Sequence, residues 1–166
     1  MNSCEQNEKI AKKGRNFFEV TWSAMGAMIG IALALWFGSD QDSPFLLASL
    51  GGSTVFLFAL SETEGAQPRA LFGGHIGGAV IGILCFQILG DTFWVSVAAV
   101  VLTMVFMVVT RTIHPPAGAN PLFMVHNHAG FSVLLKPVGT GILTLFLVAL
   151  LWSRLRPGKE YPVKWW

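Results

Sequence analysis

Charge is scarce in this chain of 166 residues: Asp, Glu, Lys and Arg make up only 12% of it. A soluble domain of this length carries about twice that share. Acidic residues are scarcer still in the middle, where Glu64 and Asp91 are the only two between Thr63 and Lys159. There are two cysteines, Cys4 on a polar tail and Cys85 inside an apolar run, a placement that excludes a disulfide framework and a thiolate metal cluster. A net charge of +2 is too small for an electrostatic nucleic-acid binder, and the basic residues flank apolar runs instead of alternating with aromatics. No nucleic-acid partner is expected.

What is present is hydrophobic: 53% of the residues, with a mean hydropathy of +0.59. Val20 to Phe37, Ala70 to Leu89 and Phe93 to Val109 hold no charged residue, and each approaches the roughly 20 residues that cross a bilayer as helix. Phe45 to Leu60 and Pro137 to Trp152 are as free of charge but shorter, which suits spans buried among neighbours or lying in thinned bilayer. Pro115 to Val125 is too short to cross alone and reads as a half-helix or broken helix. The first sixteen residues are polar and basic, without the apolar stretch and cleavage site of a signal peptide.

These features give an all-α polytopic membrane protein of six helical elements in two inverted three-element halves. The alternative is four spans with Phe45–Leu60 and Pro115–Val125 re-entrant. With six crossings and the N-terminus inside, Lys136 is the one basic residue left outside; with four, Arg69, Arg111 and Lys136 all lie outside and the positive-inside bias weakens. The six-element layout is preferred. Residues 1–16 form a cytoplasmic basic segment, 17–153 the membrane domain with halves 17–89 and 92–153, and 154–166 a cytoplasmic tail. Both termini are expected in the cytoplasm, the bilayer being a bacterial plasma (inner) membrane.

The halves also share local features. Pro44 and Gly51-Gly52-Ser53 correspond to Pro115-Pro116 and Gly118-Ala119-Asn120, and Gln67-Pro68-Arg69 with Gly73-Gly74 to Lys136-Pro137 with Gly139-Thr140-Gly141. Interrupted segments at matching places in two halves point to a transporter's binding site. Gly26-x-x-x-Gly30, Gly74-x-x-x-Gly78 and Gly78-x-x-x-Gly82 are read instead as close helix packing.

The tract Thr110 to Pro121 carries the chemistry. Prolines at 115, 116 and 121 remove backbone donors and push preceding residues out of helical conformation. Such backbone survives in lipid only when buried in protein or lining a wet cavity. Arg69 and Arg111 at the ends of the motif segments are candidates for attracting an anion through their forked donors, or else are positive-inside anchors or partners of Glu62 or Glu64. Ser53, Thr54, Gln67 and Asn120 offer neutral donors beside glycine-rich backbone, where the start of a broken helix also favours an anion. Their alternative is to bond carbonyls of neighbouring helices. His75 and His114 could donate to an anion or carry a proton with it, as a proton-coupled carrier would need. Together these eight residues are the candidate anion site.

His126-x-His128 could join a zinc or copper site, but no cysteine or carboxylate lies near it in sequence, and a surface turn is the preferred reading. No metal or cofactor is expected. Trp22, Trp36, Trp94 and Trp152 fall near span ends, as an interfacial belt does. Phe56, Phe58, Phe72 and Phe123 are read as packing rather than as an apolar gate.

The tract and the earlier stretch together resemble the HPP family of integral membrane proteins. The resemblance rests on Thr110-Arg111-Thr112, His114-Pro115-Pro116 and Ala117-Gly118-Ala119, and on Gly51-Gly52-Ser53 through Ala66-Gln67-Pro68-Arg69 to Gly73-Gly74-His75, over roughly Pro44 to Trp152. It implies small membrane proteins of four or more helices, with plastid and cyanobacterial relatives associated with nitrite transport. Some relatives continue into a regulatory CBS pair, which in this chain would be absent or supplied by a separate protein. The expectation is a transporter or channel for a small monovalent oxyanion, nitrite first and nitrate second, acting as a homo-oligomer in the lipid bilayer. A membrane-embedded structural or sensory subunit is the alternative. An intramembrane enzyme using the histidines ranks low because no nucleophile-base pair is visible in the sequence.

Overall fold

Six α-helices and no strand occur among the residues described by the computed structural model, 17–38, 46–156 and 160–165. The basic N-terminal segment with Cys4, the loop with Asp40, Asp42 and Pro44, and Lys159 lie outside these residues. Helix α1 is Phe17–Gly38, α2 Leu46–Ala59, α3 Pro68–Leu89, α4 Phe93–Thr110, α5 Asn120–His126 and α6 Thr140–Arg154. Among the described residues four helical stretches are long and apolar enough to cross a bilayer: α1, α3, α4 and Phe131–Arg154, which contains α6. The chain is an all-α membrane protein.

The two short elements are where the sequence places them. Helix α2 has 14 residues, about 21 Å at the helical rise, and α5 has 7, about 10 Å. Ahead of α5, Pro115–Ala119 forms a 3-10 turn, so the tract is a broken helix. The break has local causes. Arg111 ends α4 in the left-handed region, φ 56°, its N–H reaching back to the Met107 and Val108 carbonyls. His114 is then extended, the conformation that a following proline favours. Helix α3 opens with Pro68 in its first turn, where the missing donor costs nothing.

Helix α1 packs on α6 and α2, and α3 packs on α4 and α5; α2 also lies against Pro115–Ala119. Small residues set these distances. A Cβ on Gly26 would fall 2.5 Å from Trp152 Nε1, and one on Gly30 2.9 Å from the Phe58 ring. Along α3, Gly74, Gly78 and Gly82 take the broken tract: added Cβ atoms would stand 3.0 Å from His114 Cβ, 3.0 Å from the Ala117 carbonyl and 2.6 Å from Pro121 Cα. Close packing is thus the use of the three spaced glycine pairs.

Tryptophans divide in two. Trp36 and Trp94 are exposed at helix ends, whereas Trp22 and Trp152 pack against each other with ring centroids 4.7 Å apart, tilted by 31°. Phe58 and Phe123 are buried in the core, Phe72 packs edge-on against Phe146, and Phe56 lies edge-on to His114.

Candidate functional site

A polar cluster is sealed inside the apolar bundle. Ser53 on α2, His75 on α3, and His114 and Asn120 on the broken tract are each 0–1% exposed. Ser53 Oγ lies 2.8 Å from His75 Nε2 and 2.8 Å from His114 Nε2, and 2.9 Å from the Ser49 carbonyl one turn earlier. The imidazole centroids are 5.1 Å apart. The His114 Nδ1 is 2.6 Å from the Gly65 carbonyl, and Asn120 Nδ2 is 3.0 Å from both the carbonyl and Nδ1 of His75.

The two ends of this chain fix its protons. A carbonyl only accepts, so His114 carries its hydrogen on Nδ1 and leaves Nε2 an acceptor. The Asn120 amide donates to the His75 carbonyl and to His75 Nδ1, so His75 carries its hydrogen on Nε2. Ser53 therefore accepts from His75 and donates to His114. With both imidazoles neutral, every bond from Asn120 to Gly65 runs in one direction.

Glycine brings the elements to this range. A Cβ on Gly52 would stand 2.9 Å from Pro116 Cβ, and one on Gly73 2.5 Å from Thr112 Cγ2. Larger residues would hold α2 and α3 off the tract and open the 2.8 Å bonds.

Four of the eight candidate residues meet here; the other four are elsewhere. Thr54, adjacent to Ser53, turns its hydroxyl onto the Leu50 carbonyl at 2.9 Å. Gln67 donates to the Ser61 and Thr63 carbonyls and accepts from the Val163 and Lys164 amides, tying the C-terminal tail to the start of α3. Arg69 Nη2 donates to the Thr110 carbonyl at 2.7 Å, closing the end of α4. Arg111 is exposed at the αL corner beyond it.

The structure corrects one expectation. Ser53 and His114 do form a hydroxyl-imidazole pair at hydrogen-bond distance, and 61 residues separate them, which is why no sequence pattern displayed it. That hydroxyl is fully buried, with its proton given to His114 and one lone pair taken by His75, so no substrate carbonyl reaches it as packed here. Sequence reading also missed the Ser49 and Gly65 carbonyls, since a backbone oxygen carries no residue-type signal. His128 pairs with Asp91 at 2.7 Å and stacks on Phe86, so the His-x-His turn meets a carboxylate from 37 residues away.

A cavity of about 400 Å³ lies apart from this cluster, between the start of α1 and the end of α6. Glu19, Glu62, Glu160 and Arg156 line it, with Trp22 and Trp152. Arg156 bonds Glu19 at 3.2 Å and sits over the Phe18 ring.

Comparison with known proteins follows the same lines as the geometry. A family model for the HPP transmembrane region matches residues 12–162. Two transmembrane proteins of Dictyostelium discoideum are 36% and 32% identical to the chain over 160 aligned positions, covering 89% of it. The chain spans about half the length of these relatives, 51% and 56% respectively. No solved structure matches it.

Proposed function

This chain belongs to the HPP family of integral membrane proteins, and from that premise we propose that it transports a small monovalent oxyanion, nitrite first and nitrate second. The observation that carries the reading is the meeting of two short elements at one buried polar cluster, Ser53 from α2 and His114 with Asn120 from the broken tract. In lipid a polar cluster of this kind marks a pathway. Nitrite itself comes from the family resemblance.

Packing supports an inverted repeat. Exchanging α1, α2 and α3 for α4, the Pro115–His126 tract and α6 turns the α1–α6 contact into α3–α4, and α1–α2 into α4–α5, all of which occur. In that reading the cluster joins Ser53 and His75 of one half to His114 and Asn120 of the other, and the interface between repeats is where such transporters bind substrate. Because it is buried, an anion reaches it only when α2 or the tract moves relative to α3. Ser53, His75, His114 and Asn120 form the site in this reading, Arg69 and Arg111 its approach, and Thr54 and Gln67 the adjoining backbone anchors. A homo-oligomer belongs to the same reading, since 18 kDa encloses little space and α1 buries only Gly26, Gly30, Ala34 and Gly38.

The hydrogen-bond relay from Asn120 through His75, Ser53 and His114 to Gly65 favours a second reading, a membrane-embedded structural or sensory subunit in which these bonds simply lock the bundle. Flux separates the two. Protein in liposomes is assayed for nitrite, nitrate, chloride and formate uptake, with and without a pH gradient. Transport predicts nitrite flux above empty vesicles; no flux from protein of intact fold supports the locked subunit.

A further inference from the structure

Ser53 has three neighbours able to take its one hydroxyl hydrogen or give it theirs, and this surplus has a consequence for proton binding. With both imidazoles neutral, the hydroxyl donates to His114 Nε2 and accepts from His75 Nε2–H. The Ser49 carbonyl, 2.9 Å from the same oxygen, is then a spare acceptor. If a proton arrives on His114 Nε2, that nitrogen becomes a donor. The hydroxyl can rotate its hydrogen onto Ser49 and accept from both imidazoles with its two lone pairs. No heavy atom has to move.

A second proton has no such place. On His75 it would have to sit on Nδ1, facing the Asn120 amide nitrogen donor against donor at 3.0 Å. Turning the amide to present its oxygen would set that oxygen against the His75 carbonyl, which now accepts from Nδ2 at 3.0 Å. The Asn120 oxygen itself has no partner, so the two nitrogen contacts alone decide which way the amide faces.

We propose that Ser53, His75, His114 and Asn120 form a buried store for a single proton, held on His114 Nε2 and admitted by rotation of the Ser53 hydroxyl from His114 to the Ser49 carbonyl. The proton comes from water, no covalent bond between heavy atoms changes, and the product is an imidazolium with both N–H groups bonded, to Ser53 and to Gly65. Among the described residues, the charged and titratable groups on the neighbouring elements are exposed or bonded elsewhere. Glu64 on the turn before α3 is exposed, Arg69 on α3 bonds Thr110, Arg111 at the end of α4 is exposed, and Tyr161 of the tail donates to Ala66. Among the described residues none of these is paired with either ring. One imidazolium balances one monovalent anion, which would make carriage electroneutral, one proton per anion. That last use rests on the transport reading above; the store does not.

The test is nitrogen NMR of the full chain in lipid nanodiscs with ¹⁵N-labelled histidine, the exposed His126 and His128 replaced by Gln to clear the spectrum. At mildly alkaline pH, His75 should show hydrogen on Nε2 and His114 on Nδ1. On acidification His114 alone should gain a second N–H, one proton per chain. The same tautomer on both rings, a second proton on His75, on both rings, or on neither, overturns the proposal. Ser53→Ala should keep His114 singly protonated over the same range, and Ser53→Thr, which retains a hydroxyl, should restore the gain; Ser53→Ala gaining it unchanged overturns the rotor. The store can stand where nitrite flux is absent, and can fail where flux is present, so the two readings fall separately.

Discussion

The Nδ1 of His114 lies 2.6 Å from the carbonyl oxygen of Gly65, 49 residues earlier in the chain. This bond joins the broken tract to the turn between α2 and α3 and decides which nitrogen of His114 faces Ser53. Asparagine and glutamine separate its two functions, because their amides reach the positions of Nδ1 and Nε2 respectively. His114→Asn should keep the Gly65 contact and lose Ser53; His114→Gln should do the reverse. Each orphans one buried group, a loss of about 1–3 kcal/mol, and His114→Ala should lose more than either. Thermal unfolding in detergent checks the order. Equal stability of all three would mean that neither bond holds the tract.

The glycines of α3 give a sharper packing test. On Gly82 a Cβ meets Pro121 Cα at 2.6 Å, a backbone atom that cannot step aside, whereas on Gly118 it meets nothing within 4 Å. Gly82→Ala should therefore destabilise by about 1–3 kcal/mol through overpacking, and Gly118→Ala by less than about 1 kcal/mol. A melting series on the two variants decides it. Similar losses at both positions would contradict the contact.

Much of this was readable beforehand, for identifiable reasons. Uncharged runs locate α1, α3 and α4 because burial in lipid tolerates no charge, and the prolines at 115, 116 and 121 locate the break because a missing donor is a local property. That Ser53, His75, His114 and Asn120 converge was legible only as a set of polar residues in apolar surroundings. Residue type could not separate Ser53 from Thr54, since both are buried hydroxyls lying 2.9 Å from a carbonyl four residues back. Only the direction each faces on α2 separates them. Arg69 and Gln67 looked like anion ligands because their donors are many; in the structure backbone carbonyls take donors of both.

Tyr161 ties the tail to the start of α3 by donating its hydroxyl to the Ala66 carbonyl at 2.8 Å, and burial pushes its phenol up from the ordinary tyrosine value. The folded protein thus holds this proton more tightly than the unfolded chain. Its stabilising effect is complete below the unfolded value, near 10, and is lost as pH rises beyond that toward the folded value. Tyr161→Phe should cost about 0.5–1.5 kcal/mol at neutral pH and flatten the alkaline decline. Denaturation followed at increasing alkalinity measures both, and an unchanged alkaline slope in the variant would assign the decline to other groups.

Arg111 offers the cleanest separation of function from fold. It occupies the αL corner at φ 56°, ψ 41°, is exposed, and follows the last residue of α4. Asparagine enters that backbone region more readily than most residues, so Arg111→Asn removes the charge while preserving the corner. Melting should stay within about 0.5 kcal/mol of the parent. If the guanidinium draws the anion toward the tract, nitrite flux in liposomes should fall roughly tenfold, the equivalent of about 1.4 kcal/mol. The fall should shrink as salt is raised, because an exposed charge is screened. Unchanged flux at low salt would remove Arg111 from the approach and leave the buried cluster to recognise the ion alone.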